Sequence, residues 1–370
     1  MAEEMVVKPD IEFIKRIQSA GGESLKKCFQ CATCSVVCNL SPDSRPFPRK
    51  EMIWASWGLK DQLVRDPDIW LCHFCGDCTA YCPRGAKPGE VLGAVRQVAI
   101  EHYSTPTFLA EMVNDPKYLL FLIAFPLILI GAAIHYFGNF SPEGPVVYSK
   151  MLKPWPYVDF IFLGAAAYAV AVFAKGVMAY WQDLNVNPWK VRLKENVWLA
   201  VAEVVKDILF HNRFRKCTTY FNRSTSHLLV FLGFVGLFIV TAWASSYEWI
   251  FHKESPYAIT DPIKWLAIPS AISLLWGIWL VIRDRQNPPE NAGPGSYFDW
   301  LLIWVIAAVA VTGALCLVLR WMGLATLAYP TYYLHLVSVF FLFFYAPYTK
   351  MAHMVYRATA MIYAKLAERE

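Results

Sequence analysis

The pattern of apolar and polar residues divides the chain near residue 117. Before that point, apolar residues recur at helical spacing in two stretches, 49–64 and 91–103, among many polar residues. Beyond it lie six longer apolar stretches, at 118–137, 157–181, 227–250, 263–282, 298–319 and 329–348. Each is long enough, at about 1.5 Å per residue, to cross a hydrocarbon core of about 30 Å. The pattern predicts an all-α protein with a small helical domain at 1–116 and a six-helix transmembrane bundle at 117–370.

The connection between the second and third apolar stretches contains an amphipathic segment. Its apolar residues recur at helical spacing across 197–210, with Glu203, Lys206 and Asp207 on the opposite side, and a basic sequence follows. A helix of this kind lies in the plane of the membrane interface. We expect it at about 195–211.

Charge predicts the topology of the membrane part. The loops 182–226, 283–297 and 349–370 carry 14 Lys and Arg, against five in the three loops on the other side. Such an excess marks the cytoplasmic side, so both termini are expected in the cytoplasm and the bundle in the cytoplasmic membrane of a bacterium. The first ten residues hold two Glu and no apolar run, so no signal peptide is expected.

Composition excludes several other classes of protein. With 56% hydrophobic and 17% charged residues, the chain is neither an ordinary soluble domain nor disordered. Residues 1–116 have a net charge of −2, and the positive charge lies in the apolar part. Because no basic stripe with stacking aromatic residues occurs in 1–116, no nucleic-acid partner is expected.

Eight of the ten cysteines form two runs of identical spacing, C-x2-C-x2-C-x3-C. In this spacing three thiolates wrap one cubane and the fourth ligates the other cluster. Thiols stay reduced in the cytoplasm, so a disulfide framework is disfavoured. We predict two [4Fe–4S] clusters as metal centres. The ligands of one are Cys28, Cys31, Cys34 and Cys82, and those of the other are Cys72, Cys75, Cys78 and Cys38.

One alternative metal and one departure from the motif bear on this assignment. Structural zinc is the alternative metal, but zinc sites typically draw two C-x2-C pairs from separate loops and need no third cysteine at the same step. Asn39 follows the first run, where the second run has Pro83. Cys217 and Cys316 lie apart from both runs and are expected to be packing residues.

Histidines in the apolar part indicate haem. His335 and His353 are 18 residues apart, which on one continuous helix is five turns, the same face and about 27 Å along the axis. That arrangement suits two stacked b-type haems, one near each leaflet. His227, at the inner end of the third apolar stretch, lies at the level of His353. These two are predicted to bracket the haem on the cytoplasmic side.

The second ligand of the outer haem is open. His135 lies 17 residues into the first apolar stretch and matches the depth of His335, whereas His252 would lie about 10 Å too far out if its helix continues straight. For both, a hydrogen-bonded histidine without a metal is the alternative. The other histidines, His73, His102 and His211, are expected to be surface or supporting residues, with a haem propionate or quinone contact as the alternative for His211.

These motifs resemble two known families. Residues 28–82 resemble the iron–sulfur C-subunit of heterodisulfide reductase, and 118–360 resemble the γ-subunit, or cytochrome b, of respiratory nitrate reductase. Their fusion is similar to the membrane subunits of quinone-interacting membrane-bound oxidoreductase (Qmo) complexes of sulfate-reducing bacteria. In the nitrate reductase family the last helix carries haem ligands 18 residues apart, matched by His335 and His353. An earlier helix carries ligands 10 apart, matched only at His227 because Leu237 occupies the second position.

The resemblance implies an enzyme subunit that exchanges electrons between menaquinol and adenosine-5′-phosphosulfate reductase in sulfate respiration. It implies two haems b, two [4Fe–4S] clusters, a menaquinone site in the lipid membrane, and two flavin- and iron–sulfur-containing partners resembling heterodisulfide reductase A. A related alternative is a menaquinol oxidoreductase of a heterodisulfide reductase-like complex in dissimilatory sulfite metabolism. From another class, a transporter or anchor with a metal domain is disfavoured, because the sequence lacks symmetrically broken helices.

Overall fold

A computed structural model describes residues 8–186, 196–211, 221–253, 255–288 and 295–367, and the side chains of residues 221–223 are not described. Within these ranges the secondary structure is helical and includes no β-strand. The predicted all-α class is therefore confirmed.

The N-terminal part consists of eight mostly short helices. They are α1 (Ile11–Ile17), α2 (Thr33–Val36), α3 (Arg49–Ser56), α4 (Lys60–Val64), α5 (Asp68–Leu71), α6 (Asp77–Ala80), α7 (Pro88–Tyr103) and α8 (Thr107–Asn114). The carboxylate of Asp10 caps α1 by accepting from the backbone N–H of Phe13 at 2.8 Å. Pro88 begins α7, where a missing N–H costs no helical hydrogen bond. Most of α7 is buried because the shorter helices pack around it.

Six helices are long and apolar enough to cross a membrane, as the sequence predicts. They are α9 (Leu119–Phe137), α10 (Asp159–Val186), α12 (Phe221–Trp249), α13 (Pro262–Gln286), α14 (Tyr297–Trp321) and α15 (Ala325–Phe344). Their outward faces carry exposed Leu, Ile, Phe and Trp. A helix satisfies its own backbone hydrogen bonds, so such faces suit a lipid environment.

Small residues bring α12 and α13 into close contact. A Cβ at Gly233 would lie 2.6 Å from the backbone N of Leu274, and one at Gly277 would lie 2.7 Å from the backbone N of Val230. Ser273 donates a hydrogen bond to the carbonyl of Leu229 at 2.9 Å. Membrane helices associate through this kind of small-residue interface.

The amphipathic segment forms α11 (Val197–Phe210), within the range that the sequence predicts. Asn196 caps its first turn, and His211 ends it in a left-handed conformation with φ 52°. The buried side of α11 includes Ala200 and Val204, and the helix packs against α16 (His353–Leu366), the last helix of the chain.

His335 and His353 do not share one continuous helix, which corrects the sequence prediction. Helix α15 ends at Phe344, two 3-10 turns follow at Ala346–Tyr348 and Lys350–Ala352, and His353 begins α16. Pro347 explains the break, because proline lacks a backbone N–H and disrupts a helix interior. The five-turn registry between the two histidines therefore does not apply.

One buried core joins the N-terminal helices to the membrane part. Trp70 of α5 stacks on Tyr356 of α16 with ring centroids 5.2 Å apart, and Tyr103 and Tyr180 complete the aromatic cluster. The hydroxyl of Tyr103 donates to Asp183 of α10 at 2.9 Å. This packing fixes the cysteine-bearing loops against α10 and α16.

Candidate functional site

Each cysteine run folds in the same way around a sulfur-lined cavity. The residue before the second cysteine has a positive φ in both runs, at Gln30 (60°) and Phe74 (55°), and so does the residue after it, at Ala32 (69°) and Gly76 (89°). The backbone N–H of Phe74 points at the Sγ of Cys72, 3.4 Å away. Left-handed residues of this kind turn successive N–H groups inward and create a concave site for negative charge.

The structure brings the eight cysteines together in the two predicted sets of four. Cys28, Cys31 and Cys34 line one cavity together with Cys82, the last cysteine of the second run. Cys72, Cys75 and Cys78 line the other together with Cys38, the last of the first run. The fourth cysteine of each run thus lines the cavity of the other run. Their role as cluster ligands stays a prediction.

Burial disfavours the thiolate form of several of these cysteines. It raises the pKa of Cys34 to about 11 and that of Cys38 to about 12, and it raises the pKa of Cys78 well above its ordinary value. Only thiolates bind metal, so bound positive charge must compensate for the lost solvation. Cys31 is exposed, and a hydrogen bond with the Thr33 hydroxyl at 3.3 Å lowers its pKa.

A glycine leaves room beside the second cavity. A Cβ at Gly89 would lie 3.9 Å from the Sγ of Cys78 and 3.5 Å from the ring of Phe74. The helix backbone of α7 therefore approaches the sulfurs closely. Four converging sulfurs, inward N–H groups and this close backbone fit a compact inorganic cluster.

His227 contacts His211, which the sequence predicts to be a surface or supporting residue, or a contact of a haem propionate or quinone. The Nε2 of His211 and the Nδ1 of His227 lie 2.9 Å apart, in hydrogen-bond contact. His211 is 5% exposed, and burial lowers its pKa. Because this bond occupies Nδ1 of His227, Nε2 is the nitrogen of His227 that could ligate a metal. The signal in the sequence that could have identified His211 is its place directly after an amphipathic helix.

The 3-10 turn at Lys350–Ala352 orients the ring of His353. The Nδ1 of His353 contacts the backbone carbonyl of Lys350, which leaves Nε2 for a metal. Burial lowers the pKa of His353 to about 3, so the imidazole is neutral, the form that ligates metal. Arg357, one turn further along α16, acts electrostatically on both His353 and His211. His353 and His211 therefore both lie within reach of this arginine's charge.

His335 faces α14. Its Nδ1 lies 3.0 Å from the hydroxyl of Thr312, and a Cβ at Gly313 would lie 3.0 Å from its Cε1. The glycine therefore admits the imidazole between α14 and α15. The His335 ring also forms a hydrogen bond with the backbone of Val309.

The structure separates His135 from His335. Helix α9 packs against α15 through Tyr333, whose hydroxyl donates to the carbonyl of Leu127, and through Phe340. These positions lie about 140–160° around α15 from His335. His135 is exposed at the end of α9, and the described contacts do not join it to His335. His252 is also exposed, beyond the end of α12.

The cavity of Cys72 lies next to the His353 turn. Arg96 and Arg357 act electrostatically on both Cys72 and His353. The Nζ of Lys350 lies 5.9 Å from the ring centroid of Phe74, and the guanidinium carbon of Arg96 lies 6.0 Å from it. The second cavity is therefore the one that adjoins the membrane part.

The other histidines and cysteines considered in the sequence analysis lie apart from the proposed ligand sets. His73 is buried beside the second cavity, and His102 packs against the ring of Tyr103 at 4.8 Å. Cys316 is buried in α14, where its carbonyl accepts from the hydroxyl of Tyr148 at 2.5 Å. Cys217 lies outside the described residues.

Comparison with known proteins agrees with the two-part architecture. Residues 24–86 match the family described as 4Fe-4S dicluster domain, and residues 121–370 match the family described as Citrate utilization protein B. Fold and matches together define a membrane protein with a dicluster iron–sulfur domain. The chain belongs to the Citrate utilization protein B family.

Three relatives illustrate the similarity. The C-subunit of the H(2):CoB-CoM heterodisulfide,ferredoxin reductase of Methanothermobacter marburgensis is 41% identical over 93 residues, 24% of this chain and 49% of the relative. The E-subunit of the dihydromethanophenazine:CoB–CoM heterodisulfide reductase of Methanosarcina thermophila is 30% identical over 178 residues, 45% of this chain and 66% of the relative. Citrate utilization protein B of Escherichia coli is 24% identical over 326 residues, 79% of this chain and 80% of the relative.

The match to the heterodisulfide reductase C-subunits is partial. The chain spans about half the length of the heterodisulfide reductase C-subunits that it matches. No solved structure matches the chain.

Proposed function

We propose that this chain is the quinone-reactive membrane subunit of a multisubunit oxidoreductase and carries electrons between the quinone pool and soluble partner subunits. The observation that carries this proposal is the position of the Cys72 cavity beside the turn that leads into His353, where the Nζ of Lys350 lies 5.9 Å from the ring centroid of Phe74. Two redox sites at such a junction form a route between membrane and cytoplasm.

Two [4Fe–4S] clusters and b-type haem would supply one-electron chemistry. The two sets of four cysteines would hold the clusters, and His227 and His353 would hold the inner haem. His335 is the candidate ligand for an outer haem. Sequence depth favours His135 as its partner, but the packing of α9 on the opposite face of α15 disfavours that choice.

The protein's own residues prepare these sites. His211 fixes the ring of His227, and the carbonyl of Lys350 fixes that of His353. The charges of Arg96 and Arg357 act on both kinds of site and favour the thiolate form of Cys72 and the neutral form of His353. Such outer contacts typically tune metal affinity and potential.

The resemblance and the relatives support the proposed partners and location. The named relatives include a dihydromethanophenazine-linked reductase, which supports a site for a reduced carrier such as menaquinol. Flavin-containing partners resembling heterodisulfide reductase A, with adenosine-5′-phosphosulfate reductase beyond them, are the first candidate. The bundle would lie in a bacterial cytoplasmic membrane with both termini inside, in line with the charge of its loops.

A second candidate comes from the family itself. The similarity to the Escherichia coli citrate utilization protein runs through both parts of the chain, over 326 residues. The same route would then carry electrons between the quinone pool and a partner that takes part in citrate utilization. The two candidates share the chain's chemistry and differ in the soluble partner.

The test is a visible spectrum of the detergent-solubilised protein, oxidised and then reduced with a menaquinol analogue, with haem and non-haem iron quantified per chain. We expect haem absorption that quinol reduces and about eight non-haem irons. His353→Ala should remove the inner haem, whereas His102→Ala, a control on α7, should not. Absence of haem would overturn the proposal for the membrane part.

Native membranes separate the two candidates. Quinol oxidation that depends on adenosine-5′-phosphosulfate favours the first partner, and electron exchange with quinone that depends on citrate favours the second.

A further inference from the structure

The two cysteine cavities differ in their surroundings. The cavity of Cys72 adjoins the membrane part through Phe74, Lys350 and Arg357. The cavity of Cys28 opens toward solvent at Cys31, which is exposed, whereas the four cysteines of the other cavity are half-buried or buried. The Cys28 cavity is therefore the more accessible of the two to a soluble partner.

Large apolar side chains stand exposed around this opening. Phe29 is 65% exposed, Val36 is 84% exposed and Tyr81 is 63% exposed. Each lies within one or two residues of a cysteine that lines the Cys28 cavity. They belong to the part of the chain outside the six candidate membrane helices, so lipid does not account for their exposure. Aromatic residues gathered in this way are typical of protein interfaces.

Positive charge is concentrated at the same place. The guanidinium of Arg84 lies 3.9 Å from the ring centroid of Phe29, and the Nε of Arg49 donates to the carbonyl of Gln30 at 3.0 Å. The two segments that enclose the cavity, 23–49 and 82–90, carry six Lys and Arg against three Asp and Glu. The rest of residues 1–116 carries seven against twelve. The domain is therefore acidic outside these two segments, which carry Arg49 and Arg84 at the Cys28 cavity.

We propose that the surface formed by Phe29, Val36, Tyr81, Arg49 and Arg84 is the docking site of a soluble redox protein with an acidic face around its own cofactor. The apolar residues supply the desolvated centre of the interface, and the arginines supply a complementary rim. The inference rests on the proposed function and names the surface and the charge of the partner. It also orders the two cavities, with the Cys72 cavity toward the membrane and the Cys28 cavity toward the partner.

The test measures binding of two probe proteins of opposite charge, an acidic ferredoxin and basic cytochrome c, to the full chain in nanodiscs of neutral lipid. We expect binding of the ferredoxin that weakens as salt is raised and no comparable binding of cytochrome c. Arg84→Glu and Val36→Asp should each weaken ferredoxin binding at least tenfold. Val36 does not line the cavity, so its variant keeps the test valid if Arg84→Glu disturbs the iron content.

Lys60→Glu is the matched control. It makes the same charge change beside His102, about 20 Å along α7 from Pro88 at the Cys28 cavity. Equal loss of binding in Lys60→Glu and Arg84→Glu would overturn the proposal, because only net charge would matter. Ferredoxin binding that neither Arg84→Glu nor Val36→Asp changes would also overturn it, as would binding that requires anionic lipid.

Failure of this proposal is distinguishable from failure of the proposed function. Haem that quinol reduces, together with unchanged ferredoxin binding in the variants, would reject the docking surface alone. Loss of binding in both variants of a protein without haem would retain the surface and reject the membrane route.

Discussion

His211 and His227 form a histidine pair across the interface between α11 and the membrane bundle, with their ring nitrogens 2.9 Å apart. His211 is in a left-handed conformation at the end of α11, so the helix ends where its histidine reaches α12. Gly233 and Gly236 pack on α13 and lie about 120–180° around α12 from His227. His227 therefore points away from α13 and toward the α11 side of the bundle.

The pair predicts a specific effect of His211→Ala. Without the bond, the ring of His227 loses its fixed orientation, and the affinity of the inner site for haem should fall by about 10- to 100-fold. The measurement is the haem content per chain at limiting haem, together with the midpoint potential and the low-spin electron paramagnetic resonance signal. His102→Ala is the control. An unchanged potential and haem content in His211→Ala would contradict a positioning role.

Because the fourth cysteine of each run lines the cavity of the other run, the structure predicts which cysteine variants lose the same iron–sulfur signal. Cys82 lines a cavity with Cys28, although 54 residues separate them, and only four separate it from Cys78. Cys82→Ser should therefore disturb the same iron–sulfur signal as Cys28→Ser and a different one from Cys75→Ser. Electron paramagnetic resonance of the reduced variants, with iron counted per chain, checks this. If Cys82→Ser matched Cys75→Ser, the crossed pattern would be wrong.

The sequence was most informative where one pattern dominates. Long apolar stretches identified the six membrane helices, and the cysteine spacing identified the two sets of four, because spacing within a short loop restricts which sulfurs can meet. The break at Pro347 between His335 and His353 was missed, since a single proline also lies inside a continuous membrane helix, as Pro126 does in α9. The His211–His227 contact was also beyond sequence reasoning, because it depends on how α11 docks against α12 rather than on either helix alone.

Lys50 stabilises a buried group of carboxylates in the iron–sulfur domain. Its Nζ lies 2.6 Å from Asp66, 2.8 Å from Asp68 and 3.2 Å from Glu51, and all three carboxylates are at most 1% exposed. Lys50→Met should cost about 3–5 kcal/mol of folding free energy, because it leaves buried charges without a partner. Lys87→Met, which breaks the more exposed pair with Glu90 at 3.6 Å, should cost less than about 1 kcal/mol.

Urea unfolding of the two variants, followed by the loss of iron–sulfur absorption, provides this comparison. Equal midpoints for Lys50→Met and Lys87→Met would show that the buried carboxylates do not need the lysine charge.

Glu51 makes the stability of the buried carboxylate group around Lys50 depend on pH. Burial, with the nearby charges of Asp66 and Asp68, raises the pKa of Glu51 well above its ordinary value of 4.5, against the opposing effect of Lys50. Folding therefore binds a proton, so the contribution of Glu51 to stability is fully present below pH 4.5 and is lost as pH rises through the higher folded pKa. In Glu51→Gln, stability should fall less as pH rises, because an amide does not titrate. Unfolding midpoints of both proteins across this pH range check it, and parallel curves would contradict it.

The close packing of α12 on α13 predicts an unusually large effect of one methyl group. In Gly277→Ala the new Cβ would lie 2.7 Å from the backbone N of Val230 and 2.9 Å from the Cβ of Leu229, so the helices must move apart. Overpacking of this kind typically costs about 1–3 kcal/mol. Gly164→Ala is the matched control, since no atom lies within 4 Å of its new Cβ. Thermal unfolding in detergent should show a lower midpoint for Gly277→Ala alone. Because α12 also carries His227, the same variant should lose haem at the inner site, whereas unchanged haem content would mean that α13 does not position this histidine.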